Sequence, residues 1–416
     1  MTNFRGFRDY FEFAEYRGFD RRNERKRFSA NDVDAQSTSF FVPIRLAQDF
    51  MWLFIAGCLL SAFWVSFIAT GLMRFVSPRI GLIDKPAARK VHLVPTPLGG
   101  GVGIWLGVVI PLVAVQLLIW AWRKAPPEWL PLELSQHLAG ANLRARELWG
   151  IIAAASLLAV TGLIDDFRPL SWRLRMGLQF GVSIAIVLSG VRATIFVGNP
   201  LIGSVISVIW FVVLVNSFNF LDNMDGLSGG IALIVSLMFA VMMLTKPGDP
   251  HWFVAGVFLI VSGSLIGFLC HNWSPARIFM GDAGSYFLGF TIACMTLLGT
   301  FYTPADHNRH VILAPLCVLA VPLYDITSVV LIRIMEGRSP FQPDKRHFSH
   351  RLVALGLTKV QAVLTVQLTT LTTGLLGLTL YAVSTWNAAV VVVACVGCVL
   401  LLIAILESAP RANPQG

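Results

Sequence analysis

The sequence predicts an all-α, polytopic integral membrane protein of about eleven transmembrane helices, and three observations carry that prediction. The chain of 416 residues is 56% hydrophobic. Only 13% of it is charged, roughly half the share of about 25% found in soluble domains. Its mean hydropathy is +0.70, and its apolar residues gather into eleven runs near the length of about 20 residues that a bilayer span needs.

Taken in order, residues 1–50 form a polar extension with nine Lys and Arg before residue 50, including RRNERKR at Arg21–Arg27. The extension has no apolar core, so it is not a signal peptide. It is expected to lack a fixed structure, with a basic arm touching anionic lipid as the alternative. Met51 opens the first span directly and is a natural start. The runs lie near 51–73, 101–122, 149–164, 176–191, 201–217, 229–244, 252–270, 286–301, 311–333, 360–383 and 387–406. Arg74 closes the first, Arg123 the second and Asp165-Asp166 the third. The runs at 149–164, 176–191, 201–217 and 229–244 are among the shortest. Residues 51–406 thus make one transmembrane domain, and 407–416 a C-terminal tail. The six cysteines fall inside the spans, and Cys395-x-x-Cys398 sits in a Val/Ala/Leu run. Buried packing, rather than metal or redox chemistry, is the expectation for them.

Loops on alternate sides of the membrane divide unequally. Loops one, three, five, seven and nine hold DKPAARKVH (Asp84–His92), DDFRP (Asp165–Pro169), NFLDNMDG (Asn219–Gly226), HNWSPARIFMGDAGS (His271–Ser285) and FQPDKRHFSHRL (Phe341–Leu352). The other loops hold scattered single charges. Five polar clusters on one face are what one shared site requires. The same loops carry 14 Lys and Arg against 7 on the other face, which puts them in the cytoplasm by the positive-inside rule. The basic N-terminal extension falls on the opposite face and opposes the rule.

Each cluster has its own chemistry. Ionisable groups at a span's edge are costly and mark function. Adjacent Asp165 and Asp166 suit Mg²⁺ or phosphate chemistry, because Mg²⁺ takes one or two protein carboxylates plus substrate phosphates. The alternative is an acid pair bonded to Arg168 or Arg173. Asn219, Asp222 and Asp225, at a spacing of three, share one side of a helix, and Gly226, Gly229 and Gly230 allow close backbone approach. Asp282 stands between Gly281 and Gly284. Arg89, Lys90 and His92 precede PTPLGGG (Pro95–Gly101), and Lys345, Arg346, His347, His350 and Arg351 form a second basic group. Such cations suit phosphate, although positive flanks of spans carry them too. Zinc on His347 and His350 lacks further soft ligands. Carboxylates, cations and lipid-embedded helices together point to phosphoryl transfer between a nucleotide-activated group and a lipid phosphate.

These five loops, in this order, resemble the polyprenyl-phosphate N-acetylhexosamine-1-phosphate transferases, and the resemblance runs from Met51 to about Leu406. It implies transfer of a sugar 1-phosphate from a UDP-sugar to undecaprenyl phosphate with release of UMP, in a bacterial inner membrane, as the first membrane step of a cell-envelope polysaccharide. It implies Mg²⁺, with Mn²⁺ as a substitute, held by Asn219 and Asp282. Asp165 and Asp166 match the acidic pair, one of which deprotonates the lipid phosphate. Asp222 and Asp225 match the acids of the central motif, Asn272 a nucleotide-pocket residue, and His347 and His350 the histidine motif. Arg89, Lys90 and His92 are the other expected substrate-binding residues. A homodimer is compatible with the resemblance and nucleic acid is not an expected partner. The branch using UDP-MurNAc-pentapeptide has three adjacent histidines where this chain has His347-Phe348-Ser349-His350, so the UDP-GlcNAc branch is favoured. Two positions depart from the pattern: Ser349 replaces a histidine and Asn223 a glycine. The rival classes are a transporter, with Asp325 as its mid-span acid, and a non-catalytic scaffold.

Overall fold

The computed structural model describes residues 31–84, 95–128, 132–193, 199–246, 250–299, 309–340 and 346–408. Two units divide the chain, Met1–Trp52 and Leu53–Gly416. Of the first, residues 31–50 belong to helix α1 (Asn31–Arg79), and 1–30 lie outside the described residues, as does most of the C-terminal tail. Among its described residues, the regular elements of the second unit are helices apart from one short hairpin. After β1 (Ile83–Asp84) and β2 (Thr96–Pro97) come α2 (Gly100–Trp122), α3 (Leu132–Phe167), α4 (Trp172–Leu188), α5 (Pro200–Leu221), α6 (Leu227–Leu244), α7 (Trp252–Asn272) and α8 (Gly281–Leu298). A 3₁₀ turn at Arg309–Leu313 leads into α9 (Ala314–Val318), then α10 (Ala320–Met335), α11 (Phe348–Ala354), α12 (Lys359–Thr379) and α13 (Trp386–Ser408).

All eleven expected runs coincide with helices over most of their described residues. Among the described residues, eight helices are long and apolar enough to cross a membrane, or up to nine if the pair Arg309–Val318 and Ala320–Met335, bent by 62°, is one span. The other two runs are α4, with 17 residues, and α8, whose 18 residues begin with the polar GDAGS. The protein is a multi-pass membrane protein.

Two kinds of face account for the packing. Helix α8 is buried from Ala283 to Thr296, and α7 from Val254 through Leu265. Helix α13 instead turns Val390, Val391, Leu401, Leu402 and Ile405 outward, an apolar surface suited to lipid. Where α8 meets its neighbours there is no room for a side chain. A Cβ on Gly101 would lie 2.2 Å from the Gly284 nitrogen, and one on Gly162 2.4 Å from the Asp282 carbonyl. Small residues let helix backbones touch in this way within membranes. The cysteines only partly match expectation. Cys294 and Cys317 are buried, but Cys270, Cys395 and Cys398 are exposed, and all six are free. Outward apolar positions in a membrane bundle face lipid, so a thiol there needs no interior site.

The hairpin anchors the first loop. Ile83 pairs with Pro97 and Asp84 with Thr96, which pins both ends of that loop together. The Phe279 N–H donates to the Pro97 carbonyl at 2.9 Å, and Gly100 and Gly101 donate to the carbonyls of Phe279 and Met280, each at 2.9 Å. The root of the loop is thereby fixed beside the start of α8. Arg89, Lys90 and His92 themselves lie outside the described residues, as does Lys345.

Candidate active site

Three helix ends meet at the start of α8. Asp165 and Asp166 sit in the last turn of α3, Asn219 in the last turn of α5, Asp222 at its C-cap, and Asp282 in the first turn of α8. The Asp282 N–H donates to Asp166 Oδ1 at 3.0 Å and the Ala283 N–H to Asp166 Oδ2 at 3.3 Å. Those are unpaired N-terminal donors of α8, which a carboxylate satisfies well. From the other side the Gly281 N–H donates to Asp222 Oδ2 at 3.1 Å. Asn219 Nδ2 donates to Asp282 Oδ1 at 2.7 Å and to Ser285 Oγ at 3.1 Å. Gly281 makes this convergence possible. Its φ is +75°, which L side chains rarely adopt, and a Cβ there would meet Asp166 Oδ2 at 2.5 Å.

The acid pair divides its work. Asp166 caps α8, while Asp165 is buried and accepts from Arg175 Nη1 at 2.8 Å. Arg175 also lies 3.6 Å from Asp282 Oδ2. The partner is therefore Arg175, one turn into α4, and not Arg173, whose guanidinium lies over the Trp172 ring. Asp222 is half-buried, and burial first, then the nearby Asp166 charge, pushes its carboxyl up to about 7.

Asp225 and Asn272 shape the backbone around this point. Asp225 Oδ2 accepts from the Ala276 N–H at 3.0 Å. Asn272 is buried, accepts from the Gly226 N–H at 2.9 Å and donates to the Ile278 carbonyl at 2.8 Å. Both ends of its amide brace the segment that presents Asp282. Gln367 Nε2 of α12 donates to the Gly226 carbonyl at 2.9 Å. The central motif is thus held by groups from three other elements.

The histidine motif is anchored by a residue that the sequence offered only as a transporter's acid. Asp325 is fully buried in α10. Its Oδ2 lies 3.0 Å from His347 Nδ1 and its Oδ1 accepts from the Phe348 N–H at 2.6 Å. A carboxylate at Nδ1 fixes the imidazole so that Nε2 remains for another partner. The His347 ring stands edge-on to Phe220, with centroids 5.3 Å apart, and His350 follows at 6.1 Å. Arg346 and Arg351, of the second basic group, are both paired with acids of the protein. Arg346 pairs with Glu336 at 2.8 Å, and Arg351 with Glu407 at 3.0 Å and Ser328 at 2.9 Å. A buried Asp in a span demands a partner, which is the signal that could have linked Asp325 to the histidines. No sequence signal singled out Arg175 among its neighbours.

The donor set suits a divalent cation completed by substrate oxygens. Among the described residues no three His, Cys, Asp or Glu are grouped to hold a metal by themselves. A two-ligand oxygen site is nonetheless what Mg²⁺ uses with phosphates. Asn219 bonds the Asp282 carboxylate through its amide nitrogen, and its amide oxygen is a hard donor of the kind Mg²⁺ takes. Asp165 and Asp282 flank Arg175, while Asp166 and Asp222 hold the backbone at Gly281–Ala283, an excess of carboxylates that favours a cation.

The family model for glycosyl transferase family 4 matches residues 148–300. A probable undecaprenyl-phosphate N-acetylglucosaminyl 1-phosphate transferase of Bacillus subtilis is 31% identical over 72% of this chain and 78% of that protein. Decaprenyl-phosphate N-acetylglucosaminephosphotransferase of Mycolicibacterium smegmatis is 30% identical over 74% of this chain and 78% of its own. Undecaprenyl-phosphate alpha-N-acetylglucosaminyl 1-phosphate transferase of Escherichia coli is 28% identical over 74% and 79%. The matched segment contains Asp165, Asp166, Asn219, Asp222 and Asp282, and with these relatives it shows that the chain belongs to the polyprenyl-phosphate N-acetylhexosamine-1-phosphate transferase family.

Proposed function

We propose that this protein transfers N-acetylglucosamine 1-phosphate from UDP-GlcNAc to undecaprenyl phosphate, releasing UMP, on the cytoplasmic face of a bacterial inner membrane. The observation that carries the reading is the junction at Asp282, where the ends of α3, α5 and α8 bring four carboxylates and Asn219 together. The relatives' names supply the substrate class, and the excess of Lys and Arg on these loops supports the orientation.

Asn219 and Asp282 would hold Mg²⁺, which when bound neutralises charge on the donor diphosphate. Asp165 and Arg175 set the charge and position of Asp282 from the α4 side. Asp166 and Asp222 grip the backbone on both sides of Gly281, so Asp282 is presented rigidly. Asp222, with its proton equilibrium near 7, suits exchange of a proton with the acceptor phosphate. An acceptor oxygen attacks the β-phosphorus of the donor, the P–O–P bond to UMP breaks, and the lipid diphosphate sugar forms. His347, oriented by Asp325, offers Nε2 to the donor diphosphate.

The transporter reading loses its best residue, because both Asp325 oxygens are bonded to the histidine loop. Membranes supplied with undecaprenyl phosphate, Mg²⁺ and a panel of UDP-sugars test the proposal. UMP release should depend on Mg²⁺ and be abolished by Asp282→Ala and by Asp165→Ala. Full activity in both variants would sink the assignment.

A further inference from the structure

We propose that Asn223 and Ser349 form one positioning pair that fixes α11 against the central motif and so sets how tightly the UDP-sugar donor is held. The proposal rests on the transferase reading above. Ser349 is buried, and its Oγ donates to Asn223 Oδ1 at 2.7 Å across 126 residues of sequence. The other end of that amide, Asn223 Nδ2, donates to the Phe220 carbonyl at 2.6 Å. One side chain therefore ties the end of α5 to the first turn of α11.

The same short region is gripped elsewhere. Phe220 takes the edge of the His347 ring at 5.3 Å and the Arg333 guanidinium over its face at 5.1 Å. Asp325 holds His347 and Phe348 to α10. Three consecutive residues at the start of α11 are thus anchored: 347 and 348 to α10, and 349 to the loop carrying Asp222 and Asp225. With seven residues, α11 is too short to hold its angle alone. Its tilt, and with it the placement of His347 and His350, depends on these anchors. Loss of the Asn223–Ser349 bond would let α11 pivot about Asp325.

The two partners are also the two positions at which the motifs depart from the resemblance. Asn with Ser carries the same number of side-chain heavy atoms as Gly with His. A glycine at 223 vacates the volume that a histidine at 349 would fill. The departures are therefore one exchange in one place, and each is expected to fail without the other.

Kinetics in membranes with UDP-GlcNAc and undecaprenyl phosphate test the pair. Ser349→Ala and Asn223→Gly should each raise KM for the UDP-sugar by about 10-fold, the scale of a lost buried hydrogen bond. KM for the lipid should stay within about twofold, which a general loss of structure would not spare. The double variant N223G/S349H should recover the wild-type donor KM, whereas Ser349→His alone should not. Folded single variants with unchanged donor KM would overturn the pair, as would a folded N223G/S349H variant whose fold-increase in donor KM is the product of those of N223G and S349H. If the singles do not fold, a folded double variant with wild-type donor KM supports the pair, and one with a raised donor KM overturns it. Wild-type protein in the same assay separates the two claims. No UMP release from it would refute the transferase reading, while an active wild type with indifferent variants refutes only the pair.

Discussion

Gly162→Ala should inactivate the enzyme while leaving it folded. Gly162 lies in α3, one turn before Asp165-Asp166, against the backbone that begins α8. A Cβ there would stand 2.4 Å from the carbonyl carbon and oxygen of Asp282 and 2.5 Å from the Ala283 nitrogen. Ordinary contact begins at 3.4 Å, so the two backbones must part by about 1 Å. Neither neighbour is a flexible side-chain end, so the strain falls on the residue proposed to hold the cation. Forcing a methyl into a filled interface costs about 1–3 kcal/mol, a loss that a bundle of this size survives. A displacement of about 1 Å at a reacting centre costs about 100-fold in rate. The bonds from Asp282 and Ala283 to Asp166 would stretch with it. The assay is Mg²⁺-dependent UMP release from detergent-solubilised protein, read beside its melting temperature. Gly150→Ala in the same helix is the control, since no atom lies within 4 Å of a Cβ there. Wild-type turnover in the Gly162 variant, with the control also unchanged, would refute the claim that backbone contact between α3 and α8 sets the site.

Two further outcomes are expected from the geometry. Asp325→Asn replaces the carboxylate at His347 Nδ1 with an amide and unfixes the imidazole, so kcat should fall by about 10–100-fold, the usual effect of losing an orienting partner, with lesser change in melting temperature. Asp222→Asn tests the raised carboxyl. Its folded pKa near 7 lies above the unfolded value near 3.8, so the folded state holds a proton that the unfolded state has lost. That group's stabilising contribution is full below pH about 4 and is lost as pH rises through about 7. Without divalent cations, the variant's melting temperature should match wild type in acid and exceed it increasingly up to pH 8; a constant difference across that range would contradict the assignment.

How much was legible in the sequence differs between fold and site. The apolar runs were legible because hydrophobic segregation is additive along the chain, and each of the eleven proved helical over most of its described residues. Helix α4 differs from the other spans in being only 17 residues long, and α8 in its polar start, which it tolerates because protein wraps it. Asn219, Asp222 and Asp282 were legible because an ionisable or amide group beside a bilayer is costly wherever it occurs. Loop parity then placed them on one face without any coordinates.

Pairings were not legible. Asp165 takes Arg175 rather than a nearer arginine, Asn272 turns its amide onto backbone, and Asp325 serves His347 rather than a proton path. Asn223 and Ser349 meet across 126 residues. Composition and the spacing of apolar runs determined that this is a membrane-embedded chain with its polar groups gathered at the span ends, because those properties depend on local cost in lipid; the order of the polar loops carried the resemblance to the transferases. Only the tertiary structure decided which polar atom satisfies which, because a hydrogen bond is won or lost within fractions of an ångström between helices that the sequence keeps far apart.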